Sequence, residues 1–145
     1  MTSQEIDGCL FSFLQTAYHF EAQEKRLFNL SWQEIYLLQL LRYHGPWQIS
    51  MLGIRMELKK YQTSRLVTRL EELGLVRRSA AGGDRRQIHV ELLENGRAKL
   101  AEIEAYHRQL FTAGEKRGGP GKDTLAILQK AIHQFAALVG IKLEE

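Results

Sequence analysis

The sequence predicts a mainly α-helical fold that carries one small β-hairpin. Three observations predict it. Long segments at both ends place apolar residues at helical spacing, as at Ile6, Cys9, Leu10, Phe13, Leu14 and Ala17. ISMLGIRM, from Ile49, reads as a short amphipathic helix, separated by a brief turn from a second one, KYQTSRLVTRLEELG, which ends in glycine. LVRRSAAGGDRRQIHVEL then reads as two short strands about Gly82-Gly83, a pair that tolerates the positive backbone angles of a tight turn.

The elements follow in order. The first helix covers about residues 4–28. Phe11, Tyr18 and Phe20 lie off its main stripe, so a second face is also buried, against a partner subunit or within the same chain. The second helix opens on a capping box, Ser31 with Glu34, and a hydrophobic staple of Leu30 with Ile35. It stops at Gly45-Pro46, because proline cannot continue a helix. After the hairpin, Glu94 to about Thr112 forms a long helix with Leu100, Ile103, Tyr106 and Leu110 on one side. Residues 114–122, GEKRGGPGK, are a turn or loop by composition. Asp123 or Thr124 opens a last helix whose stripe is Leu125, Leu128, Ile132, Phe135 and Val139. The expected organisation is an N-terminal helix over 1–30, a unit of helices and hairpin over 31–93 and C-terminal helices over 94–145.

A chain of 145 residues suits one such domain with added helices. No stretch approaches the ~18 consecutive apolar residues of a membrane span. MTSQEIDG lacks a secretory profile, and a single cysteine, Cys9, forms no internal disulfide; both point to a cytoplasmic protein. The net charge of +3 is unevenly spread. Residues 1–34 carry five acids against two bases, a net of −3. Residues 55–86 carry nine bases against four acids, a net of +5. Concentrated basicity of this kind is the footprint of a phosphate-binding surface.

Within the helix at 60–73, Thr63, Leu66, Val67, Leu70 and Leu73 share one face and are expected to pack inward. Tyr61, Gln62, Arg65, Thr68 and Arg69 share the opposite one. Long donors beside Tyr and Gln suit a helix laid in a DNA major groove, where Arg pairs with guanine and Gln with adenine. Lys59, Lys60, Tyr61, Gln62, Ser64 and Arg65, near its N-terminus, are expected at or beside base edges, and Arg69 at phosphate. In the hairpin tip, the wing at 79–87, Arg85 and Arg86 project where an arginine can enter a narrow minor groove. Asp84 either orients one of them or is a plain turn residue.

These motifs together resemble the MarR family of bacterial winged helix–turn–helix regulators. The resemblance covers about half the chain, from LSWQEIYLLQLLRYHG to ELLENGRAKL. Its strongest landmarks are His44-Gly45-Pro46, the T-R-L-E-E-L-G-L-V run from Thr68 to Val76, D-R-R at 84–86, and L-x-x-x-G-R from Leu92 to Arg97. It implies a two-fold dimer built through the terminal helices, an inverted-repeat operator, Arg86 in the minor groove, and a small molecule or redox signal that tunes DNA affinity. Two positions depart from the family pattern. Lys59 stands where a capping Ser or Asp is usual, a poor N-cap, and Leu93-Glu94-Asn95 replaces the usual start of the helix after the wing.

Candidate regulatory residues are fewer. Tyr18, His19, Trp32 and Tyr36 form an aromatic cluster that could bind an aromatic or lipophilic effector, or simply be core. Cys9 resembles the cysteine of peroxide-sensing family members, but it lies on the apolar stripe, where a buried inert thiol is the default. The five histidines lack metal spacing, so neither a metal nor another cofactor is expected. No nucleophile–base pair or phosphate loop points to an enzyme. The competing readings are a winged helix used for protein or RNA contacts, and a regulator switched by Cys9.

Overall fold

A computed structural model describes residues 1–80, 87–118 and 121–143. The helices are α1 (Ser3–Phe28), α2 (Trp32–His44), α3 (Ile49–Met56), α4 (Lys60–Glu72), α5 (Glu94–Lys116) and α6 (Lys122–Leu138). The strands are β1 (Trp47–Gln48), β2 (Val76–Ala80) and β3 (Ile88–Leu92). The fold is mainly helical with one small antiparallel sheet, as the sequence predicts. The chain divides into two compact units, Met1–Leu100 and Ala101–Glu145.

Local chemistry sets the helix starts. Thr2 and Glu5 cap α1 reciprocally, and Ser31 and Glu34 do the same for α2, each backbone N–H finding the other residue's side-chain oxygen. Leu30 and Ile35, the expected staple, are both buried. The turn between α3 and α4 uses Glu57 at φ +56°, and α4 ends at Gly74, whose φ of +73° suits a residue without Cβ.

The core of the first unit gathers Leu37, Leu38 and Leu41 of α2, Leu52 of α3, and Val67 and Leu70 of α4. Val76 and Val90 of the sheet and Leu100 of α5 complete it. Gly53 lies where α3 meets α4. A Cβ there would stand 2.9 Å from the Thr63 hydroxyl, so the close approach of the two helices needs glycine. Thr63 is buried, and its hydroxyl donates to the Lys59 carbonyl.

The hairpin runs in register from Val76↔Leu92 to Ala80↔Ile88, and β1 adds a third strand through Trp47↔Val90 and Gln48↔His89. The sequence reading did not anticipate β1. Two residues are too few for an alternation to register, though Trp47 after Pro46 is a strand-favouring residue at a helix stop. Trp47 is braced by a stacked contact with His44 at 4.9 Å.

Three further expectations are revised. α5 runs on to Lys116, four residues beyond Thr112: the helix tolerates Gly114 in its interior and ends just before Gly118, whose φ is +74°. Leu73, expected to pack inward, is exposed: it falls at the helix end, beyond the last turn that meets the core. Cys9, for which a buried thiol was the default, is exposed along with the whole α1 stripe: Ile6, Leu10, Phe13 and Leu14 are each at least 40% accessible. On α6, Leu125, Leu128 and Ile132 are exposed as well, as is Val139 at its C-cap. Among the described residues, no helix is long and apolar enough to cross a membrane.

Candidate nucleic-acid interface

α4 is amphipathic, and its buried side fixes where the rest of its residues point. Thr63, Val67 and Leu70 anchor it, so Lys60, Tyr61, Gln62, Ser64, Arg65 and Thr68 lie outward. Lys59 and Lys60 are exposed at its start, and neither has a charged partner among the described residues. The guanidinium of Arg65 lies over the Tyr61 ring, 5.9 Å from its centroid, at the limit of a cation–π contact. Tyr61 is 58% accessible.

Several other polar residues of this helix are engaged inside the protein. The Gln62 side-chain carbonyl accepts the backbone N–H of Lys59 at 2.9 Å, supplying half of a capping box that Lys59 cannot complete with its own ammonium group. Arg69, expected at phosphate, is held elsewhere. One guanidinium nitrogen meets the buried carboxylate of Glu34, and the other donates to the Asn29 carbonyl at 2.9 Å. It ties α4 to the α1–α2 corner.

Arg78, on β2, was counted in the sequence only as one more base. Its backbone N–H and one side-chain nitrogen bond the two carboxylate oxygens of Glu71. The other nitrogen donates to the Ser64 carbonyl and hydroxyl and to the Thr68 hydroxyl, at 2.9–3.1 Å. The backbone bond from Arg78 is the main reason the Glu71 carboxyl titrates below its ordinary value; the ion pair adds to it, and partial burial opposes it. Arg77 pairs across the sheet with Glu91, its register partner. No sequence periodicity links Arg78 to α4, since the contact is made only once the hairpin folds back.

Beside the start of α4 lies a cavity of about 500 Å³, lined among others by Gln48, Ile49, Tyr61, Ser64, Arg78 and Ile88. The four residues of the expected effector cluster lie apart from it. Tyr18 and His19 meet edge to face at 6.0 Å, Trp32 is half-exposed, and the Tyr36 hydroxyl accepts from Arg55 at 3.4 Å. Among the described residues no group of His, Cys, Asp and Glu could hold a metal ion. The wing-tip residues Asp84, Arg85 and Arg86 fall outside the described residues.

Comparison with known proteins gives this surface a context. Residues 30–88 match the MarR family model. The uncharacterized HTH-type transcriptional regulator YfiV of Bacillus subtilis is 35% identical over 69 residues, 48% of this chain and 43% of that protein. The HTH-type transcriptional repressor MdtR of the same organism is 31% identical over 91 residues, 63% of this chain and 57% of that protein. The chain thus spans about half the length of these curated relatives. Among solved structures, Streptococcus pneumoniae FabT in complex with DNA aligns with a TM-score of 0.71 at 17% identity, covering 96% of this chain and 98% of that one. At that identity the likeness is one of fold, and the fold is the winged helix. α2, α3, α4 and β2 lie inside the matched span, residues 30–88, and this part of the chain is similar to the MarR family.

Proposed function

We propose that the protein is a dimeric transcriptional regulator, a repressor, that binds an inverted-repeat site in double-stranded DNA. Its reading head is the N-terminal half of α4, with Lys59, Lys60, Tyr61 and Arg65 directed to the major groove and Arg85 and Arg86 of the wing to the minor groove. The observation that carries this reading is the exposed cationic start of α4. Four of its outward residues are Lys59, Lys60, Tyr61 and Arg65, on a helix whose other face is locked into the core. Arg69 stands outside the set because Glu34 and Asn29 already hold it.

The dimer is supported by the uncovered apolar stripes of α1 and of α6, each described within its own unit. Contiguous apolar surface on this scale marks an association face. Control by a small molecule is part of the same proposal, and a cavity of about 500 Å³ beside α4 falls in the size range of small-ligand sites. A ligand there would contact Tyr61 and Ser64, on the reading helix itself.

Footprinting on the promoter nearest the protein's own gene tests the reading. Protection of two half-sites, centred about one helical turn apart (roughly 34–36 Å), is expected. Protection of a single half-site contradicts the dimer, and no protection at any promoter contradicts the regulator.

A further inference from the structure

We infer that α4 reads bases through one arginine–aromatic pair, Arg65 on Tyr61, that Gln62 is a capping residue outside base recognition, and that the selected half-site therefore centres on a guanine beside a thymine. The inference rests on the DNA-binding reading above and names what that surface selects.

The argument is one of elimination along a single helix face. An adenine is read by an amide that presents its acceptor and donors together to N6 and N7. The Gln62 carbonyl oxygen is folded back onto the Lys59 N–H, so that fork is not presented outward. Breaking the bond to form it would leave the helix start without its only side-chain cap. Ser64 and Thr68 accept from Arg78 through their hydroxyl oxygens, and Arg69 is bound to Glu34 and Asn29. Two outward side chains with unspent recognition chemistry remain near the helix start besides the point charges of Lys59 and Lys60.

Arg65 is the one whose geometry carries a base code, since its planar fork matches the O6 and N7 acceptors of guanine. The Tyr61 ring beneath it restricts the guanidinium before DNA arrives, which lowers the ordering cost of the contact. The same ring, 58% accessible, offers an apolar surface next to the fork. In the major groove the apolar group it would meet is the thymine methyl of the adjoining base pair. Lys60, a flexible point charge, adds affinity at phosphate without base choice.

The test is selection from a randomised duplex library by the unmodified protein and by Gln62→Ala, Gln62→Glu and Arg65→Ala variants, with melting checked for each. Glutamate at 62 keeps a carboxylate acceptor for the Lys59 N–H, so that variant remains informative should Gln62→Ala fail to fold. The expected result is a guanine–thymine step in the selected half-site that survives both Gln62 substitutions. Arg65→Ala lowers discrimination at the guanine by roughly 5- to 150-fold. Replacing that guanine by 7-deazaguanine, or the thymine by deoxyuridine, weakens binding by the unmodified protein. An adenine enriched by the unmodified protein and lost with Gln62→Ala or Gln62→Glu overturns the inference, as does indifference to 7-deazaguanine. Failure of the unmodified protein to enrich any duplex overturns the DNA-binding reading itself, a distinct outcome.

Discussion

Arg78 joins the wing to the reading helix: from β2 it bonds Glu71 with one side-chain nitrogen and the Ser64 and Thr68 hydroxyls with the other. One guanidinium therefore holds about two turns of α4, from Ser64 to Glu71, to the hairpin. Arg78→Lys should not replace it, because an ammonium is a point charge without the fork. We expect both Arg78→Lys and Arg78→Met to lower stability by about 1–2 kcal/mol, after allowing for partial solvent screening, in urea unfolding. A loss confined to Arg78→Met would mean that charge alone suffices.

Acid should act through the same contact. The Glu71 carboxyl titrates below its ordinary value of 4.5, chiefly because the Arg78 backbone N–H bonds the ionised form. A carboxyl depressed in the folded state contributes stability above its unfolded value and loses it as pH falls through the folded one. Stability should therefore decline as pH drops below about 4.5, and Glu71→Gln should flatten that decline relative to the unmodified protein. Parallel pH profiles for the two proteins would show that Glu71 contributes nothing to acid sensitivity.

The Glu34–Arg69 pair predicts an asymmetry. Glu34 is 4% accessible, whereas the Arg69 side chain is 39% accessible and can return to water. Arg69→Ala leaves a buried carboxylate without its cation, while Glu34→Gln leaves an arginine able to rehydrate. Arg69→Ala is expected to be the more destabilising of the two, by roughly 1–3 kcal/mol in chemical denaturation. Equal losses would place the pair's worth in geometry rather than in burial.

Much of this architecture was legible in the residues. The Ser31–Glu34 box, the glycine stop after α4 and the inward set Thr63, Val67 and Leu70 all follow from local rules that act within one or two turns. What escaped were relations between segments distant in the chain. The Arg69–Glu34 contact was not foreseen, because the two residues lie 35 positions apart. The bond from the Lys59 N–H to the Gln62 side-chain carbonyl was not foreseen, because side-chain composition says nothing of a chain folded back to cap its own helix. β1 escaped for a different reason: its pairing depends on β3, 41 residues on.

The packing of α3 on α4 predicts one more outcome. Gly53→Ala places a Cβ 2.9 Å from the Thr63 hydroxyl, which is itself tied to the Lys59 carbonyl. Either the Thr63 hydroxyl gives up that bond or the two helices move apart. Overpacking of this kind costs about 1–3 kcal/mol, measurable as a lowered melting temperature. The displacement falls at the start of α4, so DNA binding should weaken along with it. An unchanged melting temperature would show that the helices have slack to absorb a methyl group.

The uncovered stripe of α1 bears on assembly. Leu14, 64% accessible, lies on it with Phe13 and Leu10. Leu14→Glu should shift the protein toward a monomer in sedimentation and lower DNA affinity, because a monomer engages one half-site. A variant that sediments as the unmodified protein does would remove this stripe from the association face.

The most direct measurement of the central claim is the salt dependence of duplex binding, followed by fluorescence anisotropy at several ionic strengths. If Lys59, Lys60, Arg65 and the wing arginines meet phosphate and base edges, log K should fall linearly and steeply with log salt as counterions are released, and Lys60→Ala should reduce the slope by about one. A flat response, or no affinity for any duplex at low salt, would contradict the assignment of this surface to DNA.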